Sequence, residues 1–124
     1  GRVYTTDVCV PISRITECVN FSENEIKKLG LKAPMVGHLG DGNFHISLMI
    51  DTSNEDELSK LKPFLDRLSE RAIRMNGTCT GEHGIGQGKR KYMLKEHGNA
   101  VEVMKQVKNA FDPFKIMNPG KLFL

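Results

Sequence analysis

The residues best suited to chemistry in this sequence are His38 and His45, which flank Leu39-Gly40-Asp41-Gly42-Asn43-Phe44, and the adjacent pair Glu82-His83. Two imidazoles on one face offer two ligands to a transition metal. A carboxylate would make a third and leave a position open for water or substrate. The plainer reading is a pair of polar strand residues facing solvent. Glu82 and His83 stand in Gly81-Glu82-His83-Gly84-Ile85-Gly86-Gln87-Gly88-Lys89-Arg90-Lys91, and five glycines fall between Gly77 and Gly88. Such density marks backbone that takes positive φ or lies against a ligand, unless the stretch is a mobile loop with a solvated basic tail. The spacing is neither G-x-G-x-x-G after a strand nor the P-loop pattern, so a dinucleotide fingerprint and a Walker-type cradle are both rejected. Joined to the histidine pair, Glu82 is the natural third ligand and His83 a candidate base beside the metal.

A hairpin is needed to bring the histidines together, and Pro34 to Asp51 reads as one. Asp41-Gly42 suits a two-residue type I′ turn, which wants positive φ at both central residues. That turn pairs Gly40 with Asn43, Leu39 with Phe44 and His38 with His45, so the two rings meet across the ladder. Alternation sends Leu39, Phe44, Ile46, Leu48 and Ile50 to one face, and His38, His45, Ser47 and Met49 to the other.

The other elements supply the cover. Val3 to Val10 is rich in β-branched residues and reads as a strand that stops at Pro11. Ile12, Ile15, Val19 and Ile26 fall at helical spacing, with Gly30 as the stop. Asn20-Phe21-Ser22 is a point where that helix could break, with Ser22 and Glu25 as a capping box for a restart. Ser53 or Asn54 caps the next helix, whose apolar stripe is Leu58, Leu61, Leu65, Leu68 and Ala72 and which runs to about Met75. The last helix spans roughly Asn99 to Phe111, with Val103, Val107 and Ala110 on one face, and Asp112-Pro113 ends it. Strands interleaved with helices on one face predict an α+β fold, an antiparallel sheet of the ferredoxin-like type.

Length and composition set the limits. The chain has 124 residues, 39% hydrophobic and 27% charged, with a net charge of +3. These are the proportions of one ordinary globular domain, with too little positive charge to indicate nucleic acid. No apolar run approaches the roughly 20 residues that span a bilayer. Cys9, Cys18 and Cys79 form no C-x-x-C pair, so a reducing compartment is expected rather than a disulfide framework or a thiolate zinc site. The first residue is Gly1, which suggests a piece of something longer. Arg14 is a candidate for binding a carboxylate, against the commoner role of an exposed helix arginine. Asn43 serves the turn, His97 reads as a surface or capping residue, and Met49, Met75 and Met104 read as core filler.

Four motifs then occur in order along nearly the whole chain: Thr6-Asp7-Val8-Cys9-Val10-Pro11-Ile12-Ser13-Arg14, Gly37-His38-Leu39-Gly40-Asp41-Gly42-Asn43-Phe44-His45, Thr78-Cys79-Thr80-Gly81-Glu82-His83-Gly84-Ile85-Gly86, and Asp112-Pro113 through Asn118-Pro119-Gly120-Lys121. Together they resemble the C-terminal part of the FAD-linked oxidases of the vanillyl-alcohol-oxidase type, most closely the group of D-lactate dehydrogenase, glycolate oxidase and D-2-hydroxyglutarate dehydrogenase. The resemblance implies the second half of a ferredoxin-like substrate or cap domain over residues 1–124, with 112–124 a C-terminal extension toward the flavin. It implies a divalent metal, Zn or Mn, on His38, His45 and Glu82, and His83 as the base. It also implies a small D-2-hydroxy acid as substrate, for which Arg14 stays a candidate carboxylate contact on the residue reading alone, and it implies Asn118 near the flavin. The FAD would be bound mainly by an FAD-binding domain of the same parent chain that lies outside this sequence. Relatives acting on 2-hydroxyglutarate carry a lysine where this chain has Thr5, which tilts the substrate toward D-lactate or glycolate. An intracellular location is expected, cytoplasmic or at a membrane periphery, and mitochondrial in a eukaryote. The isolated chain is expected to self-associate through its site face or to leave Gly81–Gly88 disordered. Two kinds of alternative stay open. One is a non-catalytic binding module, either a metal-stabilised ferredoxin-like domain or an RNA binder, the latter disfavoured by the few aromatics. The other is a metal-dependent hydrolase.

Overall fold

The computed structural model describes residues 1–123, which divide into two compact units, Gly1–His83 and the segment from Gly84 onward. In the first unit β1 (Arg2–Thr5) and β2 (Val8–Cys9) are followed by a 3-10 turn at Ile12–Arg14 and by α1 (Ile15–Leu29). Strands β3 (Met35–His38) and β4 (Asn43–Ile50) and helix α2 (Glu55–Arg74) complete it. All strand pairings are antiparallel. The α+β reading holds.

β4 is the centre of the sheet. Along one edge β1 pairs Thr5 with Ser47, and β2 pairs Val8 with Phe44 in the same register. They are the single Val3–Val10 strand of the sequence, interrupted at Thr6-Asp7. β3 lies on the other edge, and an isolated antiparallel bridge joins Cys9 to Thr78 outside β2. The buried face carries Phe44, Ile46, Leu48 and Ile50, which pack with Cys18 and Ile26 of α1 and Leu61, Phe64, Leu68 and Ala72 of α2. Each such large side chain contributes about 1.5–3 kcal/mol on leaving water. Phe64, fully buried, belongs to a stripe in which Leu58 is half-exposed.

The helix ends follow local chemistry. The Asn54 side chain accepts from the amides of Asp56 and Glu57, and Gly30 closes α1 at φ 67°. α1 does not break at Asn20-Phe21-Ser22. The Ser22 hydroxyl instead donates to the Cys18 carbonyl at 2.8 Å, while Glu25 pairs with Arg67 and Arg71 of α2 rather than capping a restart.

The hairpin differs from its expected register. His38 pairs with Asn43, Gly37 with Phe44, and Val36 with His45. Leu39–Asp41 form a 3-10 turn closed by Gly42 at φ 77°, and Asp41 keeps negative φ. A type I′ turn would need positive φ at Asp41 as well as Gly42, a conformation that costs an aspartate more than a glycine. The pairing therefore slips by two residues. Because side chains alternate with period two, His38 and His45 keep their common face but are no longer directly opposed. Leu39 leaves the core face and sits exposed in the turn.

The second unit contains a 3-10 turn at Arg90–Tyr92, α3 (Met93–His97) and α4 (Ala100–Phe111), with Tyr92, Met93 and Val101 buried. Val103, Val107 and Phe111 of α4 are exposed. His97 is an exposed residue at the end of α3. Asp112 folds the following segment back. Its carboxylate accepts from the amides of Ile116 and Met117 at 3.0 Å and pairs with Lys108. No helix among the described residues is long and apolar enough to cross a membrane.

Candidate metal centre

The site is built on the polar face at one end of β4. His45 is buried, yet both of its ring nitrogens are engaged. Nδ1 lies 2.9 Å from the Thr6 carbonyl oxygen. That oxygen can only accept, so Nδ1 carries a proton and Nε2 is the nitrogen presented to the site. Nε2 lies 3.1 Å from Glu82 Oε1, a spacing that suits a shared proton or a shared cation.

The strand interruption at Thr6-Asp7 makes this possible. A regular ladder would send the Ile46 amide to the Thr6 carbonyl. Here the Ile46 amide donates to the Thr6 hydroxyl at 2.9 Å, while the Thr6 amide still donates to the Ile46 carbonyl at 3.0 Å. The hydroxyl substitutes for the carbonyl, which is released to receive His45. Both amides at this rung stay paired.

Asp7, also buried, serves the other side. Its carboxylate accepts from three consecutive amides, Gly81 at 2.9 Å, Glu82 at 3.1 Å and His83 at 2.9 Å. It also accepts from the Thr80 hydroxyl at 3.0 Å and the Asn43 side-chain amide at 2.9 Å. Successive amides turned to one point form an anion-holding concavity, here filled by the chain's own carboxylate. Gly81 is required at this approach, because a Cβ there would lie 1.8 Å from Asn43 Nδ2 and 2.6 Å from Asp7 Oδ1. Gly42 is required for a similar reason, since its Cβ would meet the Val10 carbonyl oxygen at 2.0 Å.

With the loop so held, His38, His45 and Glu82 each offer a ligand atom, and these atoms lie within 4.8 Å of one another. Two imidazole nitrogens and one carboxylate oxygen, with a buried histidine fixed in one tautomer, fit a divalent cation of the Zn or Mn type. The His38 and His45 rings are 6.3 Å apart, and His83 stands 5.6 Å from His45 on the same side as Glu82, with its own ring largely exposed. His83 Nε2 is 3.7 Å from Glu82 Oε1. Asn43 holds Asp7 and the Val8 carbonyl with its amide nitrogen, and its buried Oδ1 has no partner within the described residues. It does more than serve the turn.

Sequence matching bears on what such a centre belongs to. The family described as FAD linked oxidases, C-terminal domain, matches residues 1–122. The chain belongs to that family. This FAD-linked oxidase domain is 46% identical over 122 residues to a probable mitochondrial D-lactate dehydrogenase of Danio rerio, covering 98% of this chain and 24% of that protein. It is 39% identical over 120 residues to the glycolate oxidase subunit GlcD of Bacillus subtilis (94% and 25%). Against a probable mitochondrial D-2-hydroxyglutarate dehydrogenase of Oryza sativa subsp. japonica, identity is 29% over 123 residues (98% and 21%). The domain thus spans about a quarter or less of the length of these relatives.

Two other sequence candidates in the FAD-linked oxidase domain, Arg14 and Asn118, are not members of this cluster of ligand atoms. Arg14, in the 3-10 turn before α1, forms a two-pronged pair with Glu17 at 2.7 and 3.1 Å, which holds its charge state firmly and raises its pKa. Asn118 belongs to the second unit, at φ 47°, in a concavity also lined by Lys105, Lys108, Lys115 and Lys121. The residues that sequence reasoning missed are Thr6 and Asp7. The available signal was a buried-type strand carrying an aspartate at its middle, a residue depleted from strands.

Proposed function

We infer that this chain is the metal- and substrate-binding portion of an FAD-dependent D-2-hydroxy acid dehydrogenase. The observation that carries the reading is the convergence of His38, His45 and Glu82, with His83 beside them on a loop held by Asp7. The family membership and the relatives named as D-lactate dehydrogenase and glycolate oxidase support the reaction class. D-lactate or a similar monocarboxylate is the preferred substrate, in keeping with the 46% identity to a D-lactate dehydrogenase against 29% to a 2-hydroxyglutarate enzyme.

In this reading His38, His45 and Glu82 hold the divalent ion, which when bound favours negative charge developing on the substrate hydroxyl oxygen. Thr6 keeps the proton of His45 on Nδ1, so Nε2 stays directed at the site. His83, exposed on its loop, accepts the hydroxyl proton as hydride leaves the neighbouring carbon. FAD, when bound, would supply the hydride acceptor, and in this reading it would be held mainly by parts of the parent protein outside this chain. The lysine-lined concavity with Asn118 suits a polar, anionic group and is the part of this chain assigned to the flavin side. Arg14 contacts the substrate carboxylate only if it exchanges Glu17 for it. The sheet order, with Thr78 bridging Cys9 outside β2 and β3 beyond β4, supports a ferredoxin-like half-domain. In a eukaryote the mitochondrion is the assigned location, by analogy with the relatives' names.

The test is metal analysis, flavin absorption and a screen of D-2-hydroxy acids on the intact protein. Wild type is expected to reduce its flavin with D-lactate or glycolate, and His45→Ala to lose both metal and activity. Full activity in His45→Ala removes the metal mechanism. Ester or amide hydrolysis without flavin reduction moves the assignment to a hydrolase.

A further inference from the structure

We propose that Thr6 and Asp7 are the positioning residues of the metal centre, and that the break in the edge strand exists to let adjacent residues set both halves of it. The proposal rests on the metal reading above and extends it to residues that touch neither cation nor substrate. β4 supplies His45, whereas Glu82 and His83 come from a loop far along the chain. Something must fix the separation between the two, because a misplacement of about 1 Å in a site costs on the order of a hundredfold.

The dipeptide has one hold on each. Thr6 grips the histidine through its carbonyl, 2.9 Å from Nδ1, and keeps the sheet satisfied by giving its hydroxyl to the Ile46 amide. Asp7 grips the loop through the amides of Gly81, Glu82 and His83. Its Oδ1 also stands 3.8 Å from His45 Nδ1, so the carboxylate reinforces the same tautomer electrostatically. In a continuous strand the Ile46 amide would take the Thr6 carbonyl in the ladder, so the release of that carbonyl depends on the break. Asp7 and the loop amides form charge-assisted bonds, which are stronger and more directional than neutral ones. Asn43 is locked between Asp7 and the Val8 carbonyl and fills the remaining space under Gly81.

The experiment uses the intact protein, stripped of metal by chelation and titrated with Zn2+ and separately with Mn2+. Asp7→Asn removes the charge and exchanges one of the two acceptor oxygens for an NH2 donor, so the three loop amides and the Asn43 amide can no longer all be accepted. It is expected to weaken affinity about 10–100-fold. Thr6→Val exchanges the hydroxyl for a methyl. The Ile46 amide then turns back to the carbonyl of residue 6, and affinity falls, while Thr6→Ser retains it. Two readouts besides affinity report positioning directly. Nitrogen-15 shifts of His45 are expected to show Nδ1–H in wild type and Thr6→Ser, and a mixture of tautomers in Thr6→Val. Hydrogen exchange is expected to show protected amides at Gly81, Glu82 and His83 that become exposed in Asp7→Asn. A folded Asp7→Asn with unchanged metal affinity and unchanged loop protection overturns the proposal, as does a Thr6→Val whose tautomer and affinity match wild type. The Thr6 pair decides the matter should Asp7→Asn fail to fold. Wild type that binds neither ion overturns the metal reading alone, and amide protection and tautomer then decide the positioning role.

Discussion

Asp7 in the first unit and Asp112 in the second are both buried, and each gathers backbone amides of a following loop, but over different stretches of chain. Asp112 holds Ile116 and Met117, a few residues downstream, and balances its charge with Lys108 one helical turn upstream. Asp7 holds Gly81, Glu82 and His83, reached only after the whole sheet has closed. A local clamp of the first kind is a turn, and it forms with its own segment. A distant clamp of the second kind is coupled to every element between its ends. It tends to be lost as a unit.

The largest effect tests the frame on which the distant clamp depends. Phe64, fully buried under the sheet, is expected to cost about 3–5 kcal/mol when replaced by alanine. Denaturant unfolding measures this. Asp7→Ala comes next, at about 3 kcal/mol, because it leaves buried amides and the Asn43 side chain without their acceptor. The same titration should show its effect in the first unit. Gly81→Ala forces a methyl onto Asn43 and Asp7. An overpacking cost of about 1–3 kcal/mol is expected, together with weakened metal binding by calorimetry.

A pH experiment separates the two clamps further. The Lys108 ammonium, joined by the Met117 and Ile116 amides, holds the Asp112 carboxyl below the usual carboxylate range. A depressed folded pKa means that its stabilisation is complete above the unfolded value of about 3.9 and is lost as pH falls through the lower folded one. Amide exchange at Ile116 and Met117, corrected for intrinsic rates, should therefore be level from pH 7 to 5 and rise only in more acidic solution. Lys108→Met should move that rise to higher pH. The smallest effect is expected for Phe111→Ser, on an exposed α4 position, at within about 0.5 kcal/mol by thermal unfolding.

Much of the fold was legible because its signals are short-range. The Asn54 cap, the left-handed Gly30 and the stop at Asp112-Pro113 each act within a turn of their own helix. The grouping of His38, His45 and Glu82 was legible too, as side chains that the structure brings within reach of one another. What misled was equally local in origin. Asp41-Gly42 has the composition of a two-residue turn, yet a 3-10 turn ending on Gly42 asks for positive φ at one residue instead of two. Ser22 with Glu25 has the spacing of a cap, but Glu25 is claimed by Arg67 and Arg71 of another helix.

From its residues alone this chain determined which side chains share a face, because alternation along β4 survives a two-residue slip, and which chemistry they offer. Only the tertiary structure decided the register of the hairpin, the tautomer of His45 and the place of Glu82. Those depend on the Thr6 carbonyl and the Asp7 carboxylate meeting groups remote in sequence. A hydrogen bond between distant residues leaves no periodic trace in either segment, so it becomes visible only once the chain has closed.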